Sequence, residues 1–370
     1  MEPQKHYATW IEVDLGAIEN NVGYFVNQTS AKVMAIVKAN GYGHGAVQTA
    51  DAALRAGATW CGVARVSEAF ELRQAGIGCP ILLLSTTPTA CISDVIAARV
   101  SMAVWQEDHV AAVVEAASRM GEKARLHLKV DTGMSRLGVQ PEEVPAFARI
   151  LEDAPGVYFE GLFTHYATAD ERDPTVSDKQ ELRFKNALDK LEKIGLRPPL
   201  VHAANSAAAL TRPQGHFDLV RVGISIYGLH PSRETVLPSN FRAALSWKTQ
   251  LSQVKVLPPG RGLSYGHIYV TSSHERIGTL PVGYADGFRR REGNQVLIGG
   301  QHVPVVGRVC MDQCMVNLDA LSEVHVGDEV VLIGNQGEEH ISAEDVAERW
   351  DTINYEVTCG VGVRVPRVYR

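Results

Sequence analysis

Short apolar runs alternate with amphipathic stretches between Ala31 and Tyr227. The runs are rich in β-branched residues, which is typical of parallel strands that are covered on both faces. Eight such strands are predicted, at residues 33–37, 61–64, 81–84, 101–104, 126–130, 159–164, 200–203 and 219–222.

The stretches between these runs have helical periodicity. Helices are predicted at residues 67–75, 107–120, 142–152 and 177–194. In the second of these, Val110, Val113, Val114 and Ala117 form one apolar stripe at helical spacing. Eight strands with crossover helices match an α/β fold of the (β/α)8 TIM barrel type. An open doubly wound sheet is the alternative, because a strand count alone does not establish closure.

The pattern changes after Tyr227, where prolines interrupt the chain and helical periodicity nearly disappears. One helix is predicted at residues 343–350, with Ser342 as its N-cap. We therefore expect a barrel domain at residues 1–240 and a mainly β C-terminal domain at 241–370. The opening segment Ala8–Val13 is strand-like and can belong to either domain, and the first ~10 residues can pair with the β domain. The strands predicted for the C-terminal domain are 245–257, 276–281, 295–298, 303–309, 314–318 and 329–333.

Composition narrows the class of protein. The 370 residues suit two domains, and the net charge of −6 argues against nucleic acid or an anionic membrane as the main partner. No apolar run reaches the ~20 residues that span a bilayer, and the N-terminus lacks a signal-peptide pattern. The six cysteines form no zinc pattern. We expect a cytoplasmic protein with reduced thiols and no metal site.

Lys38 directly follows the first predicted barrel strand. Strand ends of such a barrel point into the active-site mouth, and a partly desolvated lysine there becomes an amine nucleophile for carbonyl compounds such as pyridoxal phosphate (PLP). A structural lysine that closes the strand is the alternative. Other polar residues occupy the same position after later strands, which predicts a shared site: Lys129, Asp131, His165, Tyr166, His202, Asn205, Ser206 and Arg221.

Several motifs in order along the chain resemble those of the alanine racemases, PLP enzymes of the barrel type. The resemblance extends from the first barrel strand to Arg370 and covers both predicted domains. Its motifs are VMAIVKANGYGHG, KVDTGMSRLG, FTHYA, HAANS, VRVGISIYG, SYG, VGYADG, GRVCMDQ and YEVTCGVGVRVPRVY.

This resemblance implies a two-base mechanism. Lys38 would hold PLP through its amine and act as the base on one face of the substrate Cα. Tyr265 would serve the opposite face, reaching into the barrel of the partner subunit, so a homodimer with shared active sites is expected. A tyrosine with a pKa of ~10 is a poor base at neutral pH, and His165 and Arg221 would assist it.

The resemblance also implies how PLP and substrate are bound. Arg221 would donate to the pyridine nitrogen, Asn205 would support the site, and Arg136 with the Met311 backbone would bind the substrate carboxylate. Arg136 can instead contact the phenolic oxygen of PLP. The phosphate contacts would come from Tyr42, Ser206, Gly223, Ile224 and Tyr355.

Lys129 and His202 each have two interpretations. Lys129 is either paired with Asp131 or, by resemblance, carbamylated by CO₂ so that its negative charge orients Arg136. His202 is expected to be a supporting core histidine rather than a catalytic group.

The function implied is interconversion of L- and D-alanine, which supplies D-alanine for peptidoglycan. A serine or broad-specificity racemase is the nearest alternative, because substrate choice rests on contacts worth only about 1–3 kcal/mol. A barrel-type PLP decarboxylase and a non-catalytic PLP carrier are more distant alternatives. Arg221 and Tyr265 argue against the decarboxylase, and the second domain argues against the carrier.

Overall fold

The computed structural model describes residues 8–370, which divide into two compact units. The barrel unit comprises Gly16–Arg242. The β unit combines residues 8–15 with Ala243–Arg370. The opening strand β1 (Thr9–Val13) pairs within the β unit, whereas residues 1–7 of the predicted opening segment lie outside the described residues.

Eight parallel strands form the barrel in the described part of the chain. From β2 to β8 each strand pairs with the next one in sequence, and β9 pairs with β2, which leaves a seam between β8 and β9. At the remaining seam, Asp218 N–H donates to Val201 O at 2.9 Å and Arg221 N–H donates to Ala204 O at 3.0 Å. The sheet is therefore a barrel rather than an open sheet. Its strands are β2 (Lys32–Ile36), β3 (Trp60–Val63), β4 (Ile81–Leu83), β5 (Val100–Val104), β6 (Ala124–Lys129), β7 (Val157–Phe163), β8 (Leu200–His202) and β9 (Leu219–Val222).

Helices on the outside connect these strands. The predicted stripe of α6 packs inward through Val110, Val113 and Ala117, while Val114 is only half-buried and Ala116 takes the fourth buried position. The helices are α1 (Leu15–Gln28), α3 (Ala46–Arg55), α4 (Val66–Gln74), α5 (Ile92–Ala97), α6 (Glu107–Met120), α7 (Val144–Asp153), α8 (Thr175–Lys193) and α9 (Ser206–Thr211), while α2 (Lys38–Tyr42) is a short turn with left-handed backbone geometry.

The β unit contains a ten-stranded sheet with a separate two-stranded ribbon, β12–β13. Its aromatic core is formed by Trp247, Phe288 and Trp350. The centroid of the Phe288 ring lies 5.9 Å from that of Trp247 and 6.0 Å from that of Trp350. Its later strands are β10 (Leu245–Gln250), β11 (Gln253–Leu257), β12 (Gly262–Leu263), β13 (Tyr269–Val270), β14 (Glu275–Leu280), β15 (Gln295–Ile298), β16 (Gln301–Val306), β17 (Cys314–Asn317), β18 (Glu329–Gln336), β19 (Glu339–Ile341) and β20 (Arg367–Tyr369).

Two helices complete the β unit. The predicted helix α10 (Ala343–Trp350) begins as expected, because Ser342 Oγ accepts from Asp345 N–H at 3.0 Å. Helix α11 (Asn354–Cys359) was not predicted. The predicted single strand 245–257 was wrong: β10 pairs with β1 and β18, whereas β11 pairs with β14.

Candidate active site

The carboxyl ends of the barrel strands gather a cluster of cations. Lys38 follows β2, Lys129 ends β6, and Arg221 lies in β9. The pKa of Lys129 is lowered by its burial and by the nearby charges of Arg221, Arg136 and Lys38, so these four side chains share one site. The pKa of His165, which lies two residues after the end of β7, is lowered by its burial and by the same charges. The structure thus brings together five of the predicted residues.

Lys38 begins a turn with left-handed backbone geometry. Ala39, Asn40, Gly41 and Tyr42 have φ values of 53°, 52°, 59° and 53°. Consecutive non-glycine residues in this region are costly, and such strain is concentrated at functional sites. Hydrogen bonds hold the turn: Ala39 N–H donates to Glu68 Oε1 at 2.7 Å, and Ala46 N–H donates to Asn40 Oδ1 at 3.1 Å.

Arg221 is a buried cation with no carboxylate in contact among the described residues. Its Nη2 donates to the carbonyl oxygens of Thr164 and Ala203, both at 2.8 Å, and Nη1 donates to His202 Nδ1 at 2.8 Å. Burial lowers the pKa of Arg221 to about 10, which leaves it protonated at neutral pH. Within residues 8–370, no acceptor is found for its Nε–H, so this donor is available to a ligand.

His165 is neutral, because burial and the charges of Arg221 and Lys129 hold its pKa well below the ordinary value. Its Nδ1 lies 3.1 Å from Arg221 Nη2. Arg221 Nη2 already donates its two hydrogens to backbone carbonyls and cannot accept a hydrogen bond. The lone pair of His165 Nδ1 therefore faces the guanidinium, and the ring proton is on Nε2. The neighbouring Tyr166 does not join the cluster: its hydroxyl donates to Glu181 of α8 at 3.2 Å.

Lys129 is 6 % exposed, and its Nζ lies 4.7 Å from the centroid of the Phe163 ring. Burial, followed by the charges of Arg221 and Arg136, lowers its pKa to about 7. Asp131 forms no ion pair with it in the described chain. Instead the Asp131 carboxylate accepts from the backbone N–H groups of Gly133 and Ser135 at 3.0 and 2.9 Å. Lys129 therefore has a substantial neutral amine fraction near pH 7.

Ser206, Gly223 and Tyr42 meet at one corner of the site. Ser206 Oγ accepts from Gly223 N–H at 2.8 Å, and a Cβ at position 223 would lie 2.6 Å from the Tyr42 hydroxyl oxygen. Only glycine allows this approach. Ile224 N–H has no acceptor in the described part of the chain. Asn205 is the N-cap of α9, since its side chain accepts from Ala208 N–H at 3.0 Å.

The remaining predicted residues lie in the β unit. The Tyr265 side chain is 69 % exposed and Met311 is 53 % exposed, while Tyr355 is half-buried in α11. Tyr265 lies in a turn where Ser264, Gly266 and His267 have φ values of 60°, 76° and 44°. Ser264 Oγ anchors this turn by donating to Arg308 O at 2.6 Å.

Sequence reasoning missed two buried polar residues behind Arg221. His127 and Glu160 are 0 % and 5 % exposed and connect to Arg221 through His202. The sequence contained a signal for His127, because it lies two residues before Lys129 in β6 and the two side chains therefore point to the same side of the strand. Glu160 had no such signal.

Residues 8–370 contain neither a membrane-spanning helix nor a metal-binding cluster of side chains. None of the helices is both long and apolar enough to cross a bilayer. No group of three or more histidine, cysteine, aspartate or glutamate side chains is arranged to hold a metal ion in this part of the chain.

Family models match both units. The model described as "Alanine racemase, N-terminal domain" matches residues 13–231, and "Alanine racemase, C-terminal domain" matches residues 244–369. The chain belongs to the alanine racemase family. Membership in this family makes it an enzyme of the isomerase class.

Individual members of the alanine racemase family resemble the chain over nearly its whole length. The alanine racemase of Symbiobacterium thermophilum is 47% identical over 98% of this chain and 97% of its own. The solved alanine racemase of Clostridium difficile 630 has a TM-score of 0.94 and 40% identity, covering 99% of this chain and 96% of its own. The Bacillus anthracis alanine racemase, solved with bound L-Ala-P, has a TM-score of 0.94 and 42% identity, covering 99% and 95%.

Proposed function

We propose that this chain is a PLP-dependent racemase that interconverts L- and D-alanine. The environment of Arg221 carries the most weight. Arg221 is a buried cation with a free Nε–H and no carboxylate partner in the described chain. An arginine keeps its proton, so Arg221 would donate to an unprotonated ring nitrogen of PLP. PLP held in this way would be a weaker electron acceptor, which would favour proton exchange at Cα over decarboxylation.

The residues present fit PLP. The charges of Lys38, Arg136 and Arg221 all lower the pKa of Lys129, and Asp131 is the one carboxylate among the groups that act on it. A ligand with an anionic phosphate complements this excess of positive charge. Lys38 would hold the cofactor through its amine. The phosphate would be bound by Ser206, Tyr42, Tyr355 and the backbone N–H groups of Gly223 and Ile224, with Asn205 holding the start of α9.

Two side chains would move the substrate proton. When bound, PLP withdraws electrons from the substrate and so makes its Cα–H acidic. Lys38 Nζ would remove or return the proton on one face, and Tyr265 Oη would do so on the other. The 69 % exposure of Tyr265 supports its use by a partner subunit, and we propose a homodimer with shared sites. The neutral His165, with its proton on Nε2, is suited to hydrogen-bond the tyrosine oxygen.

Arg136 and Met311 would bind the substrate carboxylate, Arg136 through its charge and Met311 through its backbone N–H. We further propose that CO₂ carbamylates Lys129, which would convert a buried amine into an anion facing Arg136. The lowered pKa of Lys129, about 7, supports this, because only the neutral amine reacts with CO₂.

D-alanine made by the enzyme would serve peptidoglycan synthesis in the cytoplasm. The racemases named above act on alanine by their names, and their 40–47% identity supports the same substrate here. Serine remains the competing substrate.

The test is incubation of the PLP-loaded protein with L-alanine in D₂O, following optical rotation and deuterium at Cα together. Loss of rotation with deuterium at Cα is expected for the native protein. Lys38→Ala should abolish both signals, whereas Lys32→Ala, which changes an exposed lysine at the other end of β2, should retain them. Unchanged rotation with PLP-loaded protein would reject alanine as the substrate. Serine would then be tested, and release of CO₂ would indicate a decarboxylase.

A further inference from the structure

A chain of buried side chains runs from Arg221 through the barrel interior. Arg221 Nη1 lies 2.8 Å from His202 Nδ1, His202 Nε2 lies 2.9 Å from His127 Nδ1, and His127 Nε2 lies 3.2 Å from Glu160 Oε2. All four side chains are at most 5 % exposed. Glu160 also accepts from Ser101 Oγ, and from Arg125 Nη1 at 2.8 Å.

The direction of every hydrogen bond in this chain follows from its two ends. Arg221 only donates, so His202 Nδ1 accepts and its proton is on Nε2. His202 Nε2–H then donates to His127 Nδ1, which leaves the His127 proton on Nε2, where it donates to Glu160. Burial lowers the pKa of both histidines and keeps them neutral. Burial would raise the pKa of Glu160, but hydrogen bonds from His127, Ser101 and Arg125 hold it at about 2.

The barrel wall is shaped to accommodate this chain. Pairing between β6 and β7 shifts register between Leu126 and His127, so Leu126 faces Phe159 and His127 faces Gly161. Glu160 is the extra residue of this bulge, a feature that redirects a side chain. A Cβ at position 161 would lie 2.3 Å from His127 Nδ1, so only glycine leaves room for the imidazole.

We propose that His127 and Glu160 are positioning residues for Arg221. They hold His202 with its proton on Nε2, so that Nδ1 always faces the guanidinium as an acceptor. The opposite tautomer would place an N–H against an N–H of Arg221 and displace the guanidinium. The consequence for the cofactor rests on the proposed function, in which Arg221 faces the pyridine nitrogen.

Glu160→Gln provides a sharp test, because it changes hydrogen-bond direction without changing size. Arg125 donates to the Oε1 side and requires the amide oxygen there, so the NH₂ group would face His127 Nε2. His127 would then carry its proton on Nδ1, and the conflict would pass to His202 and Arg221. Glu181→Gln is the matched control. It changes another buried glutamate, 6 % exposed, whose partners are Arg212, Lys185 and Tyr166.

The first readout is ¹⁵N NMR of histidine-labelled protein without PLP, which reports each ring's tautomer independently of activity. In the native protein both His127 and His202 should be neutral with the proton on Nε2. Glu160→Gln should move the His127 proton to Nδ1 and change the His202 signals, while Glu181→Gln should leave both rings unchanged. Glu160→Asp keeps an acceptor in place and should retain the native tautomers.

The second readout is the dissociation constant of PLP. Glu160→Gln should weaken PLP binding about tenfold to a hundredfold, as expected when a hydrogen bond to a charged group is lost. The proposal is overturned if native His202 is protonated on Nδ1 or charged, or if folded Glu160→Gln keeps native tautomers and PLP affinity. If Glu160→Gln does not fold, the native protein and Glu160→Asp still decide the tautomers. If the protein has the expected tautomers but binds no PLP, the proposed function is rejected. The positioning role of His127 and Glu160 toward Arg221 is not.

Discussion

The protonated form of Lys129 is costly in the folded protein, because burial and neighbouring cations both oppose it. Its pKa is about 7 in the folded protein, against an ordinary value of 10.5. Between these pH values the unfolded chain holds a proton that the folded chain does not, so the free energy of unfolding of the PLP-free protein should rise with pH. Below about pH 7 Lys129 is protonated in both the folded and the unfolded protein, so the free-energy cost of burying its charge is fully present.

Lys129→Gln should therefore stabilise the PLP-free protein at pH 6. Because a shift of one pKa unit corresponds to about 1.36 kcal/mol, the expected gain is a few kcal/mol. The gain should shrink as the pH approaches 10. Urea unfolding at several pH values measures it, with exposed Lys123→Gln as the control. Bicarbonate should stabilise the native protein at pH 8 and not the variant. Equal pH profiles for native protein and Lys129→Gln would contradict the low pKa.

At the scale of single elements, the left-handed turn α2 stores strain beside Lys38. Ala39 has a φ of 53°, a conformation that glycine adopts without its cost. Ala39→Gly should therefore raise the free energy of unfolding, by about 0.5–1 kcal/mol once the added chain entropy is subtracted. Chemical denaturation measures the change.

Ala98→Gly is the matched control for this turn. Ala98 has a φ of −76° at the end of α5, where glycine brings no relief. Here the substitution should lower the free energy of unfolding by roughly 0.5–1 kcal/mol. If both variants lose stability equally, the turn α2 is not strained.

Elements were predictable from the sequence where burial imposes a pattern. The apolar run at residues 219–222 and the apolar stripe of α6 at helical spacing predicted β9 and α6 with the bounds that the structure has. The turn α2 was not predictable, because Ala39 and Tyr42 do not favour left-handed geometry. The break between β10 and β11 was also missed, since both segments alternate like one strand although they pair with different partners.

The candidate site was predictable to a different extent. Residues at strand ends, such as Lys38 and Lys129, follow apolar runs and can be located by position alone. The resemblance to the family contributed Tyr265, whose surroundings in the sequence suggest only a turn. His127 and Glu160 lie inside strands, and their connection depends on a bulge that no local pattern announces.

At the scale of the whole molecule, the two proposed bases belong to different units. Lys38 lies in the barrel unit, and Tyr265 lies in the β unit with 69 % of its side chain exposed. If each site takes Tyr265 from the partner subunit, one hybrid dimer of Lys38→Ala and Tyr265→Ala chains contains one intact site. The other site carries both changes. Each variant alone should be nearly inactive.

Equal amounts of the two variants, allowed to exchange subunits, should then regain about a quarter of native racemase activity, because half of the dimers are hybrids with one intact site each. Racemisation of L-alanine measures the recovery, and mass-tagged chains measure the exchange. A mixture of Tyr265→Ala with Tyr265→Phe should regain nothing, since neither chain supplies the hydroxyl. Full exchange of Lys38→Ala with Tyr265→Ala without recovery would mean that both bases come from one chain, and the shared-site dimer would be rejected.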